Sequence, residues 1–249
     1  MSVELKTALS GKFLSRTPLP EPAGVHVWRI DIGSPGAELT DLFHELSSEE
    51  RDRTGRFHFR PDAERFIAAH GTVRRILSSY TGVPPGDLEF ARGPFGKPSL
   101  ANAGETCAPL RFNMADSGDA ALLAVASGCD VGVDIERVAP GGGLEDAAHR
   151  CFCGAELALF LQAPRREDRE DLFFRFWSRK EAYIKARGEG LSLPLKEIDV
   201  SAAPALIAGR WWLEDLAVDP EYRGAVVLDG RIRTIQYRTM PPGNEGGPA

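Results

Sequence analysis

Over residues 131–136, Val131, Val133 and Ile135 alternate with Gly132, Asp134 and Glu136. A period of two belongs to a strand, which sends the aliphatics to one face and both acids to the other. Two carboxylates on one strand face, roughly 7 Å apart by the strand repeat, repel each other. A hard divalent cation relieves that repulsion, and magnesium favours a few carboxylates together with phosphate oxygens and water. Taken alone, the segment fits a solvated strand edge as well as it fits a metal site.

A second segment adds to the first. From about Glu167 to Arg187 the apolar residues Leu172, Phe173, Phe176, Tyr183 and Ile184 recur at helical intervals, and Gly188 supplies a stop. Helical spacing stacks Trp177, Glu181 and Lys185 on one face. Glu181 could serve as a third metal carboxylate, and Lys185, one turn on, could reach a phosphate oxygen as a point charge. The competing reading is an exposed i, i+4 ion pair worth a few tenths of a kcal/mol.

Several further motifs surround these two. Phe95-Gly96-Lys97-Pro98 forms a G-K-P element, Phe112-Asn113 opens another, Phe152 to Glu156 reads F-x-x-x-E, and Gly188 to Leu195 follows the helix. With G-V-D-x-E at 132–136 and W-x-x-K-E-A-x-x-K at 177–185, this ordered set resembles the phosphopantetheinyl transferase superfamily, and within it the Sfp-type enzymes. The likeness runs from roughly Leu46 to Leu195.

The resemblance implies an α/β (α+β) fold of two similar lobes in pseudo-twofold arrangement, with the active site between them. The first lobe is expected over 1–127, carrying a basic coenzyme A-binding helix and the G-K-P loop. The second is expected over 128–240, carrying the magnesium and catalytic motifs. Coenzyme A would lie in the cleft, its adenine near Gly96, Lys97 and Pro98 and its diphosphate on magnesium held by Asp134, Glu136 and Glu181, with Lys185 on a phosphate oxygen. A serine hydroxyl of an acyl or peptidyl carrier protein would attack the β-phosphorus and release 3′,5′-ADP. Glu156 is the candidate base, with a metal-bound water as the alternative. Lys180 is read as an ion-pair or phosphate contact and Trp177 as packing.

Two departures qualify the match. Where relatives carry Ser-His-Ser, this chain has Ala115-Asp116-Ser117, and an aspartate at the histidine's place brings like charge toward a diphosphate. Asp116 is therefore expected to point away or to meet the ligand through water or magnesium. Arg53 is the candidate for the 3′-phosphate of coenzyme A, while Glu50 and Phe66 fall where some relatives have lysine and threonine, so that subsite is expected to be rearranged. A coenzyme A or carrier-protein binding module that has lost transfer is the alternative function. A different magnesium-dependent phosphotransferase is less well supported, because there is no G-x-x-x-x-G-K-[ST] loop.

Composition agrees with an enzyme. With 249 residues, 43% of them hydrophobic, the chain can bury a sizeable core in two compact lobes. A net charge of -6 argues against a general nucleic-acid binder, although Arg51, Arg53, Arg56, Arg60, Arg65, Arg74 and Arg75 crowd one region that could hold a phosphate-rich ligand. Cysteines 107, 129, 151 and 153 form no C-x-x-C pair, so structural zinc is not expected. No run approaches the ~20 apolar residues of a membrane span, and Met1 to Lys12 lacks a leader pattern. A cytoplasmic monomer serving polyketide or nonribosomal peptide carriers is the expectation, the carrier class resting on analogy alone.

Along the chain, strands are expected at Val25 to Ile30, Leu88 to Phe90, Arg111 to Asn113 and Ala120 to Ala126. Helices are expected at Asp62 to Tyr80 and Ala147 to Leu161. Four β-rich runs close the second lobe: Glu197 to Val200, Arg210 to Leu216, Ala225 to Leu228 and Ile232 to Arg238. Pro241 to Ala249 holds no core-forming residue and is expected to be disordered.

Overall fold

The computed structural model describes residues 16–34, 36–107, 109–139, 141–190, 193–232 and 234–239; the expected disordered end, 241–249, lies outside them. The strands are β1 (Gly24–Asp31), β2 (Phe90–Arg92), β3 (Pro98–Leu100), β4 (Leu110–Ser117), β5 (Ala120–Ser127), β6 (Val131–Arg137), β7 (Ala205–Ile207), β8 (Trp211–Leu216), β9 (Tyr222–Asp229) and β10 (Thr234–Thr239). The helices are α1 (Leu39–Glu45), α2 (Ser48–Thr54), α3 (Arg60–Thr81), α4 (Leu144–Cys151), α5 (Gly154–Gln162) and α6 (Arg166–Arg187).

A strand, a 22-residue helix and a hairpin occur twice. In the first lobe β1 is followed by α3 and the β4–β5 hairpin, giving the order β1-β5-β4; in the second, β6, α6 and β8–β9 give β6-β9-β8. All pairings within these two sets are antiparallel. The two similar α/β lobes expected from the sequence are thus visible as one connection pattern used twice.

The four layers run α3, first sheet, second sheet, α6. Val25, Val27, Ala115, Leu122 and Ala124 of the first sheet pack on Val131, Val133, Ile135, Val226 and Leu228 of the second. The outer face of the first sheet lies against Val73, Ile76, Leu77 and Tyr80 of α3, and that of the second against Phe173, Phe176, Ala182 and Ala186 of α6. Strand β5 is covered on both faces, so it reads AALLAVA without alternation. At ~0.8 kcal/mol per buried CH2, these interfaces are the main source of stability.

Several expectations need correction. Residues 147–161 form two helices, because Phe152 turns into the core with an extended backbone and Cys153 starts a new helix as its N-cap. Residues 197–200 are no strand; a 3-10 turn over Leu195–Glu197 leads into an irregular segment. The last run does not complete the second sheet: β10 crosses back to pair in parallel with β1, Val25 facing Ile235 and Val27 facing Tyr237. The stretch assigned to the second lobe therefore supplies an edge to the first. No helix among the described residues is long and apolar enough to cross a membrane.

Among the described glycines, Gly132 leaves the least room for a side chain. A Cβ there would lie 2.1 Å from the Ala182 carbonyl oxygen and 2.2 Å from the Ala186 nitrogen, both backbone atoms of α6. The helix rests directly on β6, and Ala182 and Ala186 are the small residues on its side of that contact. Gly132→Ala must push backbone apart, so it is expected to cost about 3 kcal/mol or more. Denaturant unfolding checks this; a stability within experimental error of wild type would contradict the packing described.

Candidate active site

The alternation of β6 puts Gly132, Asp134 and Glu136 on the face that meets α6. Because α6 runs antiparallel across that face, Ala186 sits over Gly132, Lys185 meets Asp134, and Trp177 meets Glu136. Lys185 Nζ donates to Asp134 Oδ1 at 2.6 Å. Asp134 is only 3% exposed, and its Oδ2 is buried without a hydrogen-bond partner. Burial lifts the Asp134 carboxyl to about 7; Lys185 pulls it down, while Glu136 and Glu181 push it up. Burial also raises Glu181, opposed by Lys185 and reinforced by Glu136. The three carboxylates and the lysine therefore act on one another, and the sequence-predicted metal residues are brought to one place.

They are not drawn tight. Among the described residues, the donor group gathered within 4.8 Å is Cys153, Glu156 and Asp199, not Asp134, Glu136 and Glu181. Like charges hold the latter apart, and the Lys185 ammonium supplies the positive charge at Asp134. The donor chemistry nevertheless fits a hard cation: three carboxylates, one with a buried oxygen lacking any partner.

Glu136 is held differently. Its Oε1 accepts from Trp177 Nε1 at 3.1 Å and its Oε2 from Ser117 Oγ at 3.0 Å. Ser117 lies on β4 of the other lobe, and its hydroxyl also accepts from Arg137 N at 3.0 Å. Four residues earlier on the same face, Asn113 Oδ1 accepts from Val133 N at 2.9 Å. Two polar side chains of β4 thus satisfy the backbone edge of β6 and close the seam between lobes. Sequence reasoning missed this role; the signal was two polar residues sharing one face of a buried strand. Trp177, read as packing, does stack on Phe173 with ring centroids 6.3 Å apart, and it also donates to Glu136.

Glu156 does not join the cluster. It is 0% exposed, accepts from Cys153 N and Val200 N, and pairs with Lys180 Nζ at 2.9 Å. Lys180 in turn donates to the Leu195 and Ile198 carbonyls. A base must touch the proton it takes, and this carboxylate has no surface through which to do so. The reading of Glu156 as base is corrected: the Glu156–Lys180 pair anchors the irregular 195–200 segment to α5 and α6. The Lys180 ammonium already supplies the positive charge in the Cys153 group.

The coenzyme A-loop residues are placed as follows. Gly96, at φ 86°, turns the chain between β2 and β3, and Pro98 starts β3. Lys97 crosses the seam, donating to the Ala186 carbonyl at 2.7 Å and pairing with Asp130 at 3.4 Å, and burial lowers its pKa. It ties the loop to the C-terminal end of α6. Arg53 is exposed, lies 4.8 Å over the Phe66 ring and has no ion pair among the described residues. Glu50 is committed to Arg74 at 2.6 Å, and despite burial the hydrogen bonds from His70, Ser47 and Arg74 hold it down at about 2. Asp116 is exposed near the end of β4, on the strand face of Phe112 and Met114 rather than that of Ser117.

Carboxylates, a lysine and a loop that crosses from the other lobe thus meet at the seam between two like lobes. Residues 130–219 match the model of the 4′-phosphopantetheinyl transferase superfamily, and residues 33–128 match that of the 4′-phosphopantetheinyl transferase N-terminal region. The chain is 37% identical over 229 residues to the 4′-phosphopantetheinyl transferase HetI of Nostoc sp. (strain PCC 7120), covering 87% of this chain and 95% of that protein. It is 32% identical to the 4′-phosphopantetheinyl transferase Sfp of Bacillus subtilis (strain 168), over 62% of this chain and 66% of Sfp. To the human L-aminoadipate-semialdehyde dehydrogenase-phosphopantetheinyl transferase it is 29% identical, over 75% of this chain and 63% of that protein. The chain belongs to the 4′-phosphopantetheinyl transferase superfamily and is an enzyme of that class.

The raised Asp134 carboxyl gives a pH prediction for metal-free protein. Between the ordinary value of 3.8 and about 7, the unfolded chain has released this proton while the native chain still holds it. Its contribution to stability therefore falls as pH rises through that window. Asp134→Asn removes the titration, and unfolding in chelator at pH values below and above the window is expected to show a flatter decline. An unchanged slope would contradict the assignment.

Proposed function

We propose that this enzyme transfers the 4′-phosphopantetheine arm of coenzyme A to a serine of an acyl or peptidyl carrier protein, releasing 3′,5′-ADP. The observation that carries the reading is the group of Asp134, Glu136, Glu181 and Lys185 at the seam, with the partnerless Oδ2 of Asp134 inside it. Asp134, Glu136 and Glu181 would hold a magnesium ion, whose charge would offset that of the diphosphate and of the departing 3′,5′-ADP.

The chain's own residues do the rest. Lys185 leaves Asp134 for a phosphate oxygen, moving its charge from a carboxylate to the ligand. Lys97 holds the G-K-P loop against α6, fixing the wall on which the adenine end would lie. Arg53, over the Phe66 ring and free of carboxylates among the described residues, offers its guanidinium to the 3′-phosphate. Asp116 stands on the α3 side of β4, turned from the strand face that meets Glu136. The serine oxygen forms its bond to the β-phosphorus as the bond to 3′,5′-ADP breaks. The serine proton passes to water at the seam, since Glu156 is sealed within the second lobe. Such chemistry is chiefly positioning and charge stabilisation. A monomer is proposed because one chain supplies both sides of the seam; a cytoplasmic location and polyketide or nonribosomal peptide carriers are proposed by analogy with the family.

Intact-mass analysis of apo carrier proteins after incubation with coenzyme A and magnesium is expected to show a gain of one phosphopantetheine, lost in Asp134→Ala. No gain on any carrier, with coenzyme A binding intact by calorimetry, would mean a binding module instead. Asp116→His is expected to leave turnover within a few-fold; a large gain in coenzyme A affinity would show that Asp116 faces the ligand.

A further inference from the structure

We infer that Ser117 is a positioning residue for the metal ligand Glu136, and that through it the first lobe tunes the cation affinity of the second. The inference rests on the metal reading of Asp134, Glu136 and Glu181.

The geometry fixes which way the hydrogen bonds run. A serine hydroxyl has one hydrogen to give and lone pairs to receive. Arg137 N–H is a donor, so it takes a lone pair of Ser117 Oγ at 3.0 Å. The single Ser117 proton is then directed at Glu136 Oε2, 3.0 Å away. Indole Nε1–H can only donate, and it takes Oε1 at 3.1 Å. Both oxygens of Glu136 are thus oriented by neutral donors, one from each lobe.

Neutral donors have a consequence that a cation would not. They fix the rotamer of the carboxylate, yet leave each oxygen further lone pairs and bring no charge that a metal must displace. Asp134 is in the opposite condition: its partner is the Lys185 ammonium, and its other oxygen has no partner. Glu136 is therefore the pre-oriented member of the carboxylate set. Its orientation is anchored in β4, on the far side of the seam.

Substitutions of groups that orient metal ligands commonly cost 10–100-fold in metal affinity, so Ser117→Ala is expected to weaken Mn2+ binding by about 10-fold. Binding is read with Mn2+ alone, from the spin-resonance signal of the free ion. The magnesium concentration for half-maximal transfer should rise by a similar factor, while KM for coenzyme A at saturating metal changes less. Ser117→Thr, which keeps the hydroxyl, should restore the affinity. Metal-free thermal unfolding of Ser117→Ala is measured alongside: a merely structural role would lower the melting temperature without moving the Mn2+ titration. Should Ser117→Ala fail to fold, Ser117→Cys, which keeps the side chain's shape but offers only a weak S–H donor, is titrated in its place and should weaken Mn2+ binding in the same direction, while unchanged binding would overturn the role of Ser117. Wild type that binds Mn2+ with variants that bind equally well would overturn the role of Ser117 while leaving the metal reading standing. Wild type that binds no Mn2+ would overturn both.

Discussion

The absence of a side chain at Gly132 is the constraint on which the site depends. Backbone atoms of Ala182 and Ala186 occupy the space a Cβ would need, so α6 lies on β6 without an intervening layer. That contact sets the helix's height and rotation above the strand. From it follows the meeting of Lys185 with Asp134 and of Trp177 with Glu136, residues more than forty positions apart in sequence. A lysine held 2.6 Å from a buried carboxylate requires the two elements to be placed to within a fraction of a side chain's length.

Two lysine–carboxylate pairs on the same helix show how burial decides role. Lys180 and Glu156 are 1% and 0% exposed, the Leu195 and Ile198 carbonyls take the other two lysine donors, and backbone amides of Cys153 and Val200 bond both carboxylate oxygens. A pair so enclosed is costly to break and offers a ligand no surface. The side chains of Lys185 and Asp134 are 29% and 4% exposed, one carboxylate oxygen has no partner, and two more acids stand nearby. That pair is unfinished, and a cation with a diphosphate would complete it.

The strands and helices around the site were legible in the sequence because their periodicity is strong. Asp134 and Glu136 share a face as the alternation requires, and α6 ends at the left-handed Gly188 as expected. What periodicity could not convey was depth. Glu156 and Asp134 are both acids beside apolar residues, yet one is sealed by backbone amides of a distant segment and the other lies at a seam. Nor could it show partners across the fold: Ser117 and Asn113 read as part of an element with a missing histidine, while their hydroxyl and amide hold the edge of β6. The destination of β10 was hidden for the same reason, since a strand pattern does not name the sheet it joins. The break at Phe152 was hidden because a helical apolar pattern continues on both sides of it.

The central claim is that the β6–α6 contact builds one cation and diphosphate site from Asp134, Glu136, Glu181 and Lys185. A crystal structure with Mn2+ and coenzyme A, using the anomalous signal of the metal, tests it most directly. The account predicts a manganese peak bound by the three carboxylates, with Lys185 moved from Asp134 to a phosphate oxygen. A peak elsewhere, or a diphosphate bound with the Lys185–Asp134 pair intact, would contradict it.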